Sequence, residues 1–109
     1  MEYTYLGRSN LKVSRICLGT MHFGRRTTEE ESFAIMDRAL EMGINFFDTA
    51  NVYGGGAAET AWGEVLKDFD RSSYVLATKV FFPMSDTDRG LSREQIHKQI
   101  DVSLERLQT

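Results

Sequence analysis

Three polar side chains, an aspartate, a tyrosine and a lysine, lie where two apolar segments of the sequence come to an end. Asp48 closes the segment 44–48, Tyr53 follows five residues later, and Lys79 lies inside the apolar segment 75–81. A buried charge is costly unless it is paired, so we expect Asp48 and Lys79 to form an ion pair. An ammonium group beside a phenol favours the phenolate form, so the three side chains together could act as a proton donor.

The composition is that of an ordinary globular domain. The chain has 109 residues, which is enough for one domain (1–109) with a core of its own. Thirteen basic and sixteen acidic side chains leave a formal net charge of -3. This weak and mixed charge argues against a nucleic-acid partner and against an anionic membrane surface.

A single cysteine, Cys17, excludes a disulfide within the chain and favours a reducing compartment, so we expect a cytoplasmic protein. Cys17 lies between Ile16 and Leu18, and its apolar neighbours predict an inert, buried side chain. The N-terminus lacks the basic-then-apolar pattern of a signal peptide, and no apolar stretch reaches membrane-spanning length.

Strand-like and helix-like patterns alternate after a short N-terminal hairpin. The hairpin is predicted over 3–6 and 11–13, around the turn residues Gly7–Asn10. Strands are predicted over 15–19, 44–48 and 74–82, each followed by a helical pattern. This order predicts an α/β fold with parallel strands and crossover helices. In such folds the loops at the carboxyl ends of the strands bind ligands, and Asp48 and Lys79 are expected at matching levels there.

Local signals delimit the predicted helices. Thr28 and Glu31 form a capping box at the start of the first helix, and Gly43 stands where a left-handed residue ends it. In the second helix, Trp62 has the spacing of a core residue rather than of a nucleobase platform. The third helix begins after Ser92 and repeats its apolar residues at helical spacing. These residues, Ile96, Ile100, Leu104 and Leu107, are predicted to face the core.

Three separated motifs resemble the aldo-keto reductase superfamily. They are Cys17–Met21, the segment Asn45–Gly54 and the strand with Thr78 and Lys79. The hairpin and the two segments Arg89–Arg93 and Ser103–Gln108 are similar to the branch with the voltage-gated potassium channel beta subunits and their bacterial relatives. The resemblance implies a TIM (β/α)8 barrel, an NADP(H) cofactor and reduction of aldehydes or ketones, small-molecule carbonyl substrates, to alcohols.

The resemblance also implies roles for individual residues. Tyr53 matches the proton donor, Lys79 its activating partner, and Asp48 the carboxylate that bonds the lysine and lies near the nicotinamide ribose. Gly19, Thr20 and Met21 match the end of the first barrel strand, which helps to form the cofactor site. The hydride chemistry belongs to the cofactor, while the protein orients it and stabilises the developing alkoxide.

The chain departs from the family pattern in length. A complete barrel needs roughly 250 residues, whereas this sequence has 109 and stops where a fourth barrel strand is expected. The fourth catalytic position, usually a histidine, and later cofactor-binding loops are therefore missing. We expect an inactive N-terminal fragment whose open sheet edges bind the remainder of a barrel or a second copy. The alternative is a cofactor-sensing regulatory subunit of the channel beta-subunit type.

Other candidate residues have plainer interpretations. His22 follows the first strand and could contact substrate, but a surface loop position is favoured, and His97 is expected to face solvent. Gly54–Gly56 lacks the third glycine or the lysine of phosphate-binding motifs and is read as a flexible loop over the site. No histidine or cysteine cluster has metal-ligand spacing.

Overall fold

A computed structural model describes residues 1–109, the whole chain. Strands β1 and β2 form an antiparallel hairpin, and strands β3, β4 and β5 form a parallel sheet in chain order. The strands are β1 (Tyr3–Tyr5), β2 (Lys12–Ser14), β3 (Leu18–Gly19), β4 (Phe46–Asp48) and β5 (Val75–Ala77), and the helices are α1 (Glu29–Glu41), α2 (Ala57–Leu66) and α3 (Arg93–Leu107).

The predicted order of elements is confirmed, but the strands are shorter than predicted. The strand expected over 74–82 is regular only over Val75–Ala77, and the one expected over 15–19 only over Leu18–Gly19. Within the predicted range 74–82, Phe81 has a φ of 133°, which takes its backbone out of the extended conformation. Lys79 therefore lies on irregular backbone beyond the end of β5, whereas Asp48 is the last residue of β4.

Helix α1 begins and ends where its capping residues predict. The Thr28 side chain accepts a hydrogen bond from the Glu31 amide, while the Glu31 carboxylate accepts one from the Thr28 amide at 2.9 Å. Gly43 then adopts a φ of 85°, a conformation that suits glycine because it has no Cβ. Met36 and Ala39 of this helix are buried against the sheet.

The core lies on the face of the sheet that α1 and α2 cover. Phe47 and Trp62 are fully buried, and their ring centroids are 4.4 Å apart. The opposite face is open at Gly19, where a Cβ would meet no atom within 4 Å, and at Asp48, whose side chain is partly exposed. The predicted burial of Cys17 is wrong, because alternation along the strand places it on this open face and its side chain is exposed.

Only part of the apolar face predicted for helix α3 is buried. Leu107 is buried as expected, but Ile96 and Leu104 are 42% and 40% exposed, whereas Gln99 and Ser103 are buried. The reason is the close approach of α2, where Gly63 lies against the backbone of Arg106 with no room for a Cβ. Small and polar side chains suit this close crossing, and Ile96 and Leu104 face outward.

Asn45 joins the hairpin to the start of β4, at the end of the sheet opposite the site. Its Oδ1 accepts a hydrogen bond from the Ser14 amide at 2.6 Å, and its Nδ2 donates to the Lys12 carbonyl at 3.1 Å. The Tyr3 hydroxyl donates to the Gly43 carbonyl at 2.6 Å. The hairpin thus lies at the amino ends of the parallel strands, as the floor of a barrel requires.

Candidate active site

The structure brings Asp48, Tyr53 and Lys79 together. The Lys79 ammonium donates hydrogen bonds to Asp48 Oδ2 and to the Thr49 carbonyl, both at 2.7 Å, and to the Tyr53 hydroxyl at 3.2 Å. The same nitrogen lies 4.9 Å from the centroid of the Tyr53 ring. All three protons of the ammonium therefore have partners, and the phenol is one of them.

Backbone hydrogen bonds beyond the strand ends hold these side chains in place. The Thr49 amide donates to the Ala77 carbonyl at 2.8 Å, and the Asn51 amide donates to the Lys79 carbonyl at 3.1 Å. The expected matching level of Asp48 and Lys79 is wrong, because Asp48 pairs with Ala77 in the register. Lys79 lies two residues further on, on the same face, and its long side chain reaches back to the carboxylate.

The pair is only partly shielded from solvent. The side chains of Lys79 and Asp48 are 47% and 36% exposed. Partial burial acts to lower the pKa of the Lys79 ammonium, but its hydrogen bonds and charge interactions with Asp48 and Tyr53 outweigh burial and raise that pKa above its ordinary value. Lys79 therefore stays protonated at neutral pH, with its positive charge beside the phenol oxygen.

Tyr53 lies on a turn that its glycines shape. Residues Tyr53–Gly56 form a kinked turn, in which Gly54 and Gly55 adopt left-handed φ values of 60° and 65°. A Cβ at Gly54 would lie 2.6 Å from the Phe23 carbonyl oxygen, so the turn packs directly on the loop after β3. The expected flexible loop is instead a compact turn that leads into α2.

The residues predicted to bind the cofactor border one cavity beside the site. Gly19, Thr20 and Met21 line it together with Asp48 and Tyr53, and its volume is about 410 Å³. The Thr20 hydroxyl is directed into the protein, since it donates to the Asp48 carbonyl at 2.9 Å and accepts from Trp62 Nε1 at 3.4 Å. Gly19 leaves open space, with no atom within 4 Å of a Cβ built on it.

This arrangement fits part of a nicotinamide cofactor. Lys79 bonds only Oδ2 of Asp48, so the other carboxylate oxygen remains available for a sugar hydroxyl. The open space at Gly19 and the exposed Met21 side chain border the same cavity.

A buried acidic residue next to the site was missed by the sequence analysis. Glu59 is fully buried; it accepts hydrogen bonds from the Thr78 hydroxyl at 2.7 Å and from Arg106 Nη1 at 3.0 Å. A signal was present, because Glu59 precedes Trp62 by three residues and Leu66 by seven, which places it on the apolar face of α2.

The remaining candidates do not form a second site. His22 is exposed and borders the same cavity as Asp48, while His97 is exposed on α3, as expected. Partial burial of the Cys17 sulfur and the negative charge of Asp48 raise the pKa of the thiol. The positive charge of Lys79 acts in the opposite direction but is outweighed. No group of three or more histidine, cysteine, aspartate or glutamate side chains is placed to hold a metal ion. None of the helices combines the length and the apolar character that crossing a membrane requires.

Fold and site together define the class of protein. Three parallel strand-helix units with a hairpin floor form the N-terminal portion of a (β/α)8 barrel, and the polar cluster lies on the rim where such barrels carry their active sites. The model of the aldo/keto reductase family matches residues 15–109, so the chain belongs to this family.

Individual relatives agree with this assignment. An uncharacterized oxidoreductase of Bacillus subtilis, YrpG, is 50% identical over an alignment of 121 residues, which covers all of this chain and 37% of YrpG. The aldo-keto reductase AKR11C1 from Bacillus halodurans, solved in its holo form, superimposes with a TM-score of 0.86 and 38% identity over all of this chain and 37% of its own. The thermostable aldo-keto reductase Tm1743, solved with the inhibitor epalrestat, superimposes with a TM-score of 0.83 and 32% identity. The match covers all of this chain and 39% of the Tm1743 chain. The chain thus spans little more than a third of the length of these relatives.

Proposed function

We propose that this chain forms the N-terminal third of an NADP-dependent oxidoreductase that reduces aldehydes or ketones to alcohols. The observation that carries the proposal is the Lys79 ammonium, which bonds the Asp48 carboxylate and the Tyr53 hydroxyl at once. When bound, the nicotinamide cofactor supplies the hydride. The residues of this chain supply the proton and the electrostatic environment.

Tyr53 is proposed as the proton donor to the carbonyl oxygen. As the oxygen gains negative charge, it requires a donor within hydrogen-bond reach, and Tyr53 borders the same cavity as Gly19 and Met21. After the proton leaves, the Lys79 ammonium, 3.2 Å from the phenol oxygen, stabilises the resulting phenolate. The positive charge is already in place, so no reorganisation is required during the transfer.

Asp48 is proposed to have two tasks. One carboxylate oxygen fixes the Lys79 ammonium at 2.7 Å and raises the pKa of that group, which keeps it charged. The other oxygen is proposed to accept a hydrogen bond from the ribose of the cofactor, with Gly19, Thr20 and Met21 forming the adjoining wall.

The isolated 109-residue chain is proposed to be inactive. The parallel sheet has two open edges, β3 and β5. Open edges of this kind pair with other chains, so the chain alone is expected to self-associate or to fold only in part. Gel filtration and circular dichroism test this expectation, and a monomer with a cooperative thermal transition would contradict it.

Activity is best tested in a completed barrel, defined as residues 1–109 joined to the remaining part of YrpG, the relative at 50% identity. We expect NADPH oxidation with a small aldehyde, and Tyr53→Phe should reduce kcat by about 10²- to 10⁴-fold. Tyr5→Phe is the matched control, because Tyr5 lies on the hairpin and is 60% exposed. Equal activity in the two variants would refute the role of Tyr53. A completed barrel that consumes no NADPH would refute the reaction itself.

The same assay addresses the regulatory alternative. A sensor of the channel beta-subunit type would bind the cofactor tightly with negligible turnover, even with Tyr53 intact. No contact in the structure favours this alternative, and it stays a prediction from the resemblance.

A further inference from the structure

Among the acidic side chains that form ion pairs, only that of Glu59 is 0% exposed; its partner is Arg106. Both of its oxygens have partners, and the two partners lie on different elements. Oε1 accepts from Thr78, just after β5, and Oε2 accepts from Arg106 near the end of α3. A buried charge with two directional partners orders whatever those partners belong to.

The first partner leads to Lys79. Thr78 is the residue between Ala77, the last residue of β5, and Lys79, and its hydroxyl donates to Glu59 at 2.7 Å. On the other side, the Lys79 carbonyl accepts from the Asn51 amide at 3.1 Å. The backbone that carries the Lys79 ammonium is therefore held from both sides. The contact with Asn51 is made by the backbone, and the contact with Glu59 is made by side chains.

The second partner leads to Tyr53. The guanidinium of Arg106 packs on the last residue of the Tyr53–Gly56 turn, so closely that a Cβ on Gly56 would lie 2.7 Å from its Nε. Glu59 bonds the same guanidinium at 3.0 Å. A single carboxylate thus connects the turn that carries the phenol with the strand end that carries the ammonium.

We infer that Glu59 is a positioning residue that holds Lys79 and Tyr53 at their bonding separation, through Thr78 and Arg106. The inference deepens the proposed function and rests on it for its catalytic meaning. Its physical basis is that a small displacement of a catalytic group lowers the rate even when the displaced contact is remote from the reacting atoms. The ion pair alone does not require this role, because buried ion pairs are weak evidence for stability.

The test uses Thr78, because Thr78→Val removes the hydroxyl at nearly constant shape while Thr78→Ser retains it. Ser72→Ala is the matched control: the Ser72 hydroxyl also donates to a carboxylate, Asp70 Oδ1 at 2.9 Å, but just before β5. The probe is the pH titration of the completed barrel with ¹³C-labelled lysine, so that Lys79 is measured in a closed fold. Lys67 is the internal reference, because its hydrogen bond to Glu64 raises its pKa away from the site.

We expect the pKa of Lys79 to lie above its ordinary value in the unsubstituted chain and to fall toward it in Thr78→Val and in Glu59→Gln. Thr78→Ser and Ser72→Ala should leave it unchanged, and the Lys67 titration should not move in any variant. A Lys79 titration that is the same in Thr78→Val as in the unsubstituted chain would overturn the inference. So would an ordinary pKa for Lys79 at the outset, or a Lys67 titration that moves with it.

Activity gives the second readout, in the completed barrel. Thr78→Val should lower kcat about tenfold and leave KM for the aldehyde within about twofold, with activity restored in Thr78→Ser. Unchanged kcat in Thr78→Val would overturn the positioning role while leaving the proposed reaction intact. If the unsubstituted completed barrel were inactive, the proposed function would fail, and the Lys79 titration would still decide whether Glu59 positions that side chain.

Discussion

Two ion pairs are linked through the adjacent residues Thr78 and Lys79, and their surroundings differ. Lys79 and Asp48 meet on the rim, with side chains that are 47% and 36% exposed. The side chains of Arg106 and Glu59 are only 22% and 0% exposed. Solvent weakens the first pair and leaves its groups accessible to a ligand. The second pair is shielded, so breaking it leaves a charge without compensation. The difference suggests that the exposed pair serves chemistry and the buried pair serves geometry.

The largest effect on stability is expected at the buried pair. Glu59→Ala leaves the Arg106 guanidinium without its carboxylate and the Thr78 hydroxyl without its acceptor, which should cost about 3–5 kcal/mol in the free energy of unfolding. Urea denaturation of the completed barrel measures this cost. The control is Glu64→Ala, which removes an exposed carboxylate from the same helix and should cost far less. Equal costs for the two variants would show that burial does not distinguish the pairs.

The exposed pair should show the opposite behaviour. Asp48→Asn keeps the shape of the side chain but removes its charge, so it should change the free energy of unfolding by less than about 1 kcal/mol. Carbonyl reduction by the completed barrel should nevertheless fall about a hundredfold, because the ammonium loses the group that fixes it. A large loss of stability together with unchanged kcat would reverse the roles assigned to the two pairs.

The buried pair also depends on the close approach of α2 and α3. Gly63→Ala places a Cβ against the backbone of Arg106, so the helices must separate, at an expected cost of about 1–3 kcal/mol. Gly19→Ala is the control for the unfolding measurement, since its Cβ would meet no atom within 4 Å. A stability loss no greater than that of the control would mean that the helices are less closely constrained than the structure indicates.

The smallest effect is a pH dependence of stability at the exposed pair. The pKa of Lys79 is raised in the folded protein, so its contribution is complete below the ordinary lysine value of about 10.4 and is lost as pH rises through the folded value. The difference in unfolding free energy between the unsubstituted protein and Asp48→Asn should therefore shrink as the pH rises above about 10.4, by less than about 1 kcal/mol. A difference that grows with pH would contradict the raised pKa.

The sequence predicted the elements through local chemistry that acts over a few residues. The capping box of Thr28 and Glu31, the glycine at 43 and the alternation of strand and helix patterns each depend on neighbouring residues, and each is found in the structure. The grouping of Asp48, Tyr53 and Lys79 was also predictable, because charged groups within apolar segments require partners. The strand lengths were overestimated, because apolar composition does not reveal where the ladder stops.

Only the tertiary structure decided which surfaces meet. Cys17 has apolar neighbours, but its burial depends on what covers the sheet. Ile96 has helical spacing, but its burial depends on how closely α2 approaches α3. The same applies to Glu59 and Arg106, which are 47 residues apart along the chain and form a pair only because two helices cross at Gly63. Local sequence specifies which groups need a partner, whereas long-range packing selects the partner, because contacts of that separation exist only in the assembled fold.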